Sequence, residues 1–443
     1  MDDNLLHDVV AAARKAGADA AEAVFAERQS LSVSVRLGEL EEVEREEARD
    51  LGLRVFIGAR SATVSGSDVS AEARAKLIER AVAMARLAPE DPYASLAPHD
   101  RLARGPFPEL DLIDAYEPTA ETLEAQARLA EEHARAVKGV TNSDGGSATW
   151  SSSKWSLVTT AGFHGTQAAT GHSISASAIA GEGAGMERGG EGRSARHFGD
   201  LPAAGDIGME AGRQAVARLN PRKIATTTAP VIFENRLAMS LIGPLLGAIS
   251  GPAITRGASF LKDKLGQQIF AKGVNLLEDP HRVRGLGSAP FDDEGVATEA
   301  RALIDDGVLT TWLLNSSSAK QLGMVTTGHA SRGLAGPSGV STHNLTLQPG
   351  ARDLAGLMQD AGTGLLVTSM FGPSLNGNTG DWSVGCSGVW FENGESTGPV
   401  TEITVAGNLI DIYARLVPGS DLQFLGASNS PSILVDALAI AGK

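Results

Sequence analysis

Residues 31–57 read LSVSVRLGELEEVEREEARDLGLRVFI, and this stretch decides the fold. Leu31, Val33, Val35 and Leu37 alternate with polar residues, and Leu51, Leu53, Val55 and Ile57 repeat the pattern. Successive side chains of a strand point to opposite faces, so a period of two predicts two half-buried strands. The acidic run between them, Glu39 to Asp50, reads as a solvated part of the same ribbon. Working outward, Leu5, Val9, Val10 and Ala13 recur at helical spacing, and Gly17 is placed to stop that helix. On the other side, Ala62 to Val64 is a short strand, followed by a helix over Ser70 to Leu87 with Asp68 or Ser70 as its cap. Helix, three strands and helix in that order describe an antiparallel sheet covered on one face.

Pro89, Pro92, Pro98, Pro106, Pro108 and Pro118 mark residues 88–118 as a linker. A helix from Ala120 to Val137 follows. Strands are predicted near Ala148–Val158, Gly162–Ala169 and His172–Ile179, with a flexible loop at Gly181–Gly192 and a helix over Ile207–Leu219. Asn220-Pro221 ends that helix, because proline disfavours α conformation in the residue before it. The main boundary is placed there, giving an N-terminal α+β domain over 1–222 and a β-rich C-terminal domain over 223–443. The second domain opens with a strand at Thr226–Phe233 and an apolar helix at Asn235–Ile249. Short strands then alternate with turns: Val274–Leu277, Val308–Leu314, Leu345–Leu347, Gly364–Ser369, Val389–Glu392 and Val400–Val405.

The chain has 443 residues and a net charge of −15, with no Lys/Arg-rich stripe, so direct nucleic-acid binding is not expected. Its one cysteine, Cys386, excludes an intramolecular disulfide and fits a reducing compartment. The N-terminus lacks a basic and apolar leader, and the most apolar run, Leu237 to Ile249, falls short of the ~20 residues a bilayer span needs. A cytoplasmic protein with no membrane partner is expected.

The second half holds recognisable residues in order: Ser259 to Gly266 (SFLKDKLG), Glu278-Asp279-Pro280, Phe291-Asp292-Asp293-Glu294-Gly295, Ser318-Ala319-Lys320 and Thr327-Gly328-His329-Ala330. Asn378 to Ser383 (NTGDWS), Glu392 to Glu395 (ENGE), Pro399-Val400 and Ile403 to Leu409 (ITVAGNL) complete the series. In this order and spacing they resemble the TldD/PmbA family, once called modulators of DNA gyrase, and its PmbA (TldE) branch more than its TldD branch. The resemblance implies an α+β protein of two domains, an antiparallel N-terminal sheet with covering helices and a mixed, mostly β C-terminal domain forming part of a barrel-like cavity. It also implies a cytoplasmic heteromeric peptidase acting on unfolded or extended peptides and maturing peptide precursors. In that family, zinc is held by the TldD-type subunit, partly through His-Glu-x-x-x-His on a helix. This chain would be the partner that lacks the motif, with no metal and no catalytic residue of its own. The alternative is a homodimeric peptide-binding or scaffold protein with no hydrolytic role. DNA modulation is suggested only by the family's older name, and the charge argues against it.

The residues agree with a missing metal helix. Such a site needs two imidazoles about one turn apart. No two of the nine histidines are three, four or five positions apart; the closest, His164 and His172, are eight apart. The helix corresponding to the family's metal helix, Asn235 to Gly251, places Leu237, Leu241, Leu245 and Ile249 on one face, which reads as core, with Pro244 expected to kink it. Ligands assembled from distant positions such as His281, His329 and His343 stay open. Cys386, flanked by Gly385, Ser387 and Gly388, reads as a buried structural thiol. Gly394-Glu395-Ser396-Thr397-Gly398 matches a nucleophile elbow in letters, but its strand-like flanks make it a hairpin turn. Gly181–Gly192 lacks the Lys-Ser/Thr of a phosphate loop. Adjacent Asp292, Asp293 and Glu294 cannot converge on one cation from an extended chain, so turn or interdomain hydrogen bonds are expected of them. Asn376, Asn378 and Asp381, in a tight polar turn, join Asp293 and Glu294 as candidates for lining a substrate cavity.

Overall fold

The computed structural model describes residues 3–336 and 338–443. Its first sheet contains β1 (Ala20–Arg36), β2 (Glu39–Ile57), β3 (Arg60–Gly66), β4 (Val140–Thr159), β5 (His164–Ala180) and β6 (Glu187–Ala195). All its pairings are antiparallel, in the order β3-β2-β1-β4-β5-β6. Four helices lie on one face: α1 (Asp3–Lys15), α2 (Ala71–Leu87), α3 (Ala120–Ala136) and α4 (Ala204–Ala217). Leu6, Val9 and Ala13 of α1 meet Leu51, Leu53 and Val55 of β2, together with Leu77, Ile78 and Ala81 of α2. Further along the same face, Leu123, Ala127 and Ala130 of α3 and Ile207 and Ala211 of α4 cover Val33, Val35, Ala148 and Ile174. Ser70 caps α2 by accepting the Ala73 N–H, as its position predicts.

The structure departs from the sequence reading in three places here. The alternation that includes Leu37 ends one residue early, because Leu37 and Gly38 both take positive φ (52° and 80°) to turn the β1–β2 hairpin. Buried Glu131 of α3 holds that turn by accepting the N–H groups of Leu37 and Gly38 at 2.6 and 2.9 Å. The three strands expected after α3 are two long ones, β4 and β5. The loop expected at 181–192 ends early, since its second half is the start of β6. Its glycine content reflects close packing: a Cβ on Gly189 would come within 2.2 Å of the Ala215 backbone nitrogen on α4.

β2 has β1 along one side throughout, whereas β3 pairs with it only from Leu51 onward. Its first half, 39–50, is therefore an open edge, exposed on nearly every residue.

The remaining elements in chain order are β7 (Thr227–Phe233), α5 (Asn235–Ala248), α6 (Gly251–Thr255), β8 (Leu276–Asp279), β9 (Arg301–Asp305), β10 (Val308–Leu309), α7 (Ser316–Leu322), β11 (Ala330–Ser331), β12 (Gly339–Val340), β13 (Asn344–Leu347), α8 (Leu354–Ala361), β14 (Gly364–Leu375), β15 (Asp381–Glu392), β16 (Glu395–Asn408), α9 (Leu409–Arg415), β17 (Val417–Pro418), β18 (Ser428–Asn429) and β19 (Ile433–Ala441). Five strands in the order β16-β15-β14-β7-β19 close into a barrel, because β19 also pairs with β16 through Val405 and Ile440. Closure removes the free edges that an open sheet would leave. Val231, Phe233, Val367, Val384, Cys386, Ile403 and Val435 are buried with Leu241, Ile242 and Leu245 of α5. Tyr413 of α9 stacks on Phe270 at 4.7 Å between centroids. A second sheet, β10-β9-β8-β13-β18, carries the polar centre described below. Sequence patterning missed β9, β19, α6 to α9 and the two-residue strands β11, β12, β17 and β18; it overextended β10 and cut β14, β15 and β16 short. Among the described residues, no helix is long and apolar enough to cross a membrane.

Candidate functional site: a buried polar centre between the sheets

The uncovered face of the first sheet presents Val24 and Leu157, which pack with Phe163, Leu102, Phe291 and Val296. Beside this contact the same face presents Glu22 of β1 and Arg54 of β2, 3.5 Å apart. Arg332, which follows β11, reaches across and pairs directly with Glu22. Both side chains of that pair are almost fully buried, at 1% and 2% exposure.

The acidic loop 291–295 lies behind this ion pair. Asp292 closes the turn: one carboxylate oxygen accepts the Glu294 and Val296 N–H groups, and the other accepts Ala330 N–H, each at 2.9 Å. Asp293 accepts the Arg332 N–H at 2.9 Å, and Glu294 accepts the Ser316 N–H at 2.9 Å. The three carboxylates thus turn to three different partners, the arrangement expected for adjacent acids outside a cation site. Burial pushes all three carboxyls above their usual range; the Glu294 charge adds to the effect at Asp292, and Glu22 adds to it at Glu294.

Deeper in the second sheet, Glu278 on β8 lies opposite Leu345 on β13, two residues beyond His343. Its carboxylate bridges two imidazoles. His329 Nε2 is 2.7 Å from one oxygen, and His343 Nδ1 is 3.0 Å from the other, which also accepts the His343 N–H at 2.7 Å. Thr327 Oγ1 lies 2.8 Å from His329 Nδ1 and fixes the ring from behind. Burial alone would raise the Glu278 carboxyl, but hydrogen bonds from both imidazoles hold it well below the usual carboxylate range. Burial lowers the His329 pKa against the pull of Glu278, which favours the neutral ring. Spacing along the chain hid this trio, since 51 and 65 positions separate each histidine from Glu278. From sequence, His329 and His343 stay open as distant ligands alongside His281, whose ring lies against Thr298 instead, while nothing singles out Glu278 for the role.

A cleft of about 350 Å³ lies next to the trio in the chain, lined by Leu246, Gly247, Ser250, Pro252, Leu313, Val340, Ser341 and Thr342. One wall comes from α5, which carries no imidazole, thiol or carboxylate between Asn235 and Ala248 and buries Ala238, Leu241, Ile242 and Leu245. Pro244 lies inside this helix, which runs on through Ala248.

Of the residues singled out from sequence, Asp293 is half-buried and Glu294 buried, both in the polar centre. Asn376, Asn378 and Asp381 are exposed on the hairpin between β14 and β15. There Asp381 accepts from the Thr379 hydroxyl at 2.7 Å and the Asn408 amide at 3.0 Å, and these bonds keep its carboxyl below the usual range. The two groups share no hydrogen-bond partner. Cys386 is fully buried in the barrel, and burial pushes its thiol up to about 12, as expected of a structural cysteine. Ser396 lies on β16 just past the Asn393-Gly394 turn, in the hairpin its flanks predict.

Comparison with known proteins matches three consecutive parts of the chain to family profiles: residues 21–85 to PmbA/TldA metallopeptidase domain 1, 113–219 to the central domain, and 226–442 to the C-terminal domain. The metalloprotease PmbA of Escherichia coli O157:H7 is 38% identical over 430 residues, covering 96% of this chain and 93% of that one. A PmbA homologue from Haemophilus influenzae is 36% identical, covering 97% and 94%. Among solved structures, a protein from Bacteroides thetaiotaomicron described as a candidate modulator of DNA gyrase superposes with a TM-score of 0.92 at 26% identity, covering 99% and 98% of the two chains. TldE from Thermococcus kodakarensis shares the fold, with a TM-score of 0.86 at 21% identity over 99% and 100%. Matched along nearly its whole length, the chain belongs to the PmbA/TldD metallopeptidase family.

Proposed function

We propose that this chain is the subunit without the hydrolytic metal in a TldD–TldE-type cytoplasmic peptidase acting on unfolded or extended polypeptides. The observation that carries this reading is the chemistry of α5. A hydrolytic zinc on a helix needs imidazoles and a carboxylate projecting together. The side chains of α5 do not fit that metal, because its inward face is aliphatic and no ligand stands on any other face. Hydrolysis is therefore assigned to a TldD-type partner that supplies the zinc. The cleft beside α5 supports a peptide-accommodating role, since small and polar groups at Gly247, Ser250, Ser341 and Thr342 alternate with apolar Leu246, Leu313 and Val340. Such a surface can take an extended chain through backbone hydrogen bonds, which tolerate varied sequences.

The test is to purify the chain alone and together with a TldD-type subunit, and to assay cleavage of an unfolded peptide. Cleavage is expected only from the mixture, with the two chains co-eluting on size exclusion. Equal cleavage by the isolated chain defeats the proposal. A stable self-dimer that ignores the TldD-type subunit replaces it with the peptide-binding or scaffold reading.

A further inference from the structure

We propose that Glu278, His329 and His343 form a binding site for a divalent transition-metal cation, zinc foremost, built entirely by this chain and separate from any hydrolytic metal. Among the described residues these three offer one ligand atom each, all within 4.8 Å of one another. Two imidazole nitrogens and one carboxylate oxygen form a donor set that zinc accepts. The trio can receive an ion through side-chain adjustment. Ligands about 2.0–2.1 Å from a tetrahedral zinc stand roughly 3.3 Å apart, whereas the carboxylate-to-imidazole separations here are 2.7 and 3.0 Å. The two separations run to different oxygens of Glu278, so a small rotation of the carboxylate and a closing of the imidazole nitrogens from within 4.8 Å bring three donors to ligand spacing.

The surroundings are those of a prepared ligand set. A metal-bound imidazole is usually oriented by a hydrogen bond on its other nitrogen. For His329 that bond goes to Thr327 Oγ1 at 2.8 Å, and the same hydroxyl lies 3.3 Å from the Leu314 carbonyl. Thr327 can therefore donate to Nδ1 while Nε2 carries the proton, and accept from Nδ1 when Nε2 is freed for an ion, turning its own O–H to donate to the carbonyl. His343 is fixed by the next residue, since the Asn344 amide donates to the Asp279 carbonyl at 2.8 Å and its oxygen accepts Gly287 N–H at 2.9 Å.

The ion has a structural task. The Glu278 and His329 side chains are each 1% exposed and His343 is 11% exposed, which keeps a polypeptide substrate away from the ligands. What the ion joins are three segments distant in sequence: β8, the approach to β11 and the approach to β13. The last of these continues from Ser341 and Thr342, which line the cleft beside α5. An ion at the trio stiffens that wall.

The test uses the full-length untagged chain, stripped with a chelator and titrated with Zn²⁺ and with Co²⁺. One equivalent of zinc per chain is expected by elemental analysis after dialysis, together with visible cobalt absorption of a four-coordinate nitrogen and oxygen site. His329→Gln and His343→Gln abolish the cobalt spectrum, and Thr327→Val weakens binding on the order of tenfold, while His281→Asn, whose ring bonds Thr298 outside the trio, leaves it intact. Circular dichroism checks that each variant is folded. Should the histidine variants fail to fold, the native chain alone decides, through a zinc-dependent rise in melting temperature that cobalt reproduces with its four-coordinate spectrum. Substoichiometric metal, or an unchanged spectrum in folded His329→Gln and His343→Gln, overturns the site. This outcome is distinct from failure of the subunit assignment, which is read from peptide cleavage and not from metal content.

Discussion

The two faces of the first sheet are built from different chemistry. The helix-covered face is built mainly from apolar side chains, and the residues that meet across it all come from the first half of the chain. The opposite face carries Glu22 and Arg54 beside Val24, and its partners, Phe291, Val296 and Arg332, come from the second half of the chain. Apolar contacts hold most of the first face through buried area and close packing. The second depends on a buried ion pair, which stabilises only when each charge keeps its partner.

That difference can be broken by substitution. Arg332→Met leaves buried Glu22 with Arg54, 3.5 Å away, as its remaining cation, so a loss below the roughly 3–5 kcal/mol of a fully unpaired buried charge is expected in denaturant unfolding; adding Glu22→Gln, which removes the poorly compensated charge, should restore part of it. If the double variant is no better than the single one, the pair is not the source of the loss. On the helix face, Leu53→Ala removes a fully buried side chain and should cost about 2–5 kcal/mol. Here no second substitution among charged residues compensates, and rescue by one would erase the contrast between the faces. The smallest effect sharpens the comparison through pH. Glu294 has its folded-state carboxyl raised by burial, so its contribution to stability is fully present below the ordinary carboxylate range and is lost as pH rises through the raised value. Glu294→Gln, which keeps an oxygen for the Ser316 N–H, should therefore raise the melting temperature relative to the native chain at pH 8 and lose that advantage near pH 4. An advantage that grows on acidification would contradict the assignment.

The same contrast explains what the sequence makes legible. Val33, Leu53 and Val55 announce their strand by alternation, and Ser70 announces the start of α2, because both signals are local. The turn chemistry around Ser396 and the buried character of Cys386 are readable for the same reason. The empty ligand count of α5 is legible too, since a helix brings together residues only a few positions apart. Glu278, His329 and His343 are not, because strand pairing of β8 with β13 and the docking of the segment before β11 create their proximity. The glycines near Gly189 mislead for a related reason: composition suggests a flexible loop, while α4 passing overhead is what demands the missing side chain. β9 escaped because its five residues offer too little periodicity to distinguish a strand from a connecting segment, and the nine-residue β19 because its alternation is broken by the register shift between Val435 and Leu438.

The open edge of β2 has a consequence for how copies of the molecule behave toward one another. An unpaired row of backbone donors and acceptors invites a second strand to zip onto it. Along 39–50 that invitation is guarded by Glu39, Glu41, Glu42, Glu44, Glu46, Glu47 and Asp50, against only Arg45 and Arg49. Two identical ribbons approaching side by side therefore meet mutual repulsion before their backbones can engage, and the molecule carries its own protection against fibrous stacking.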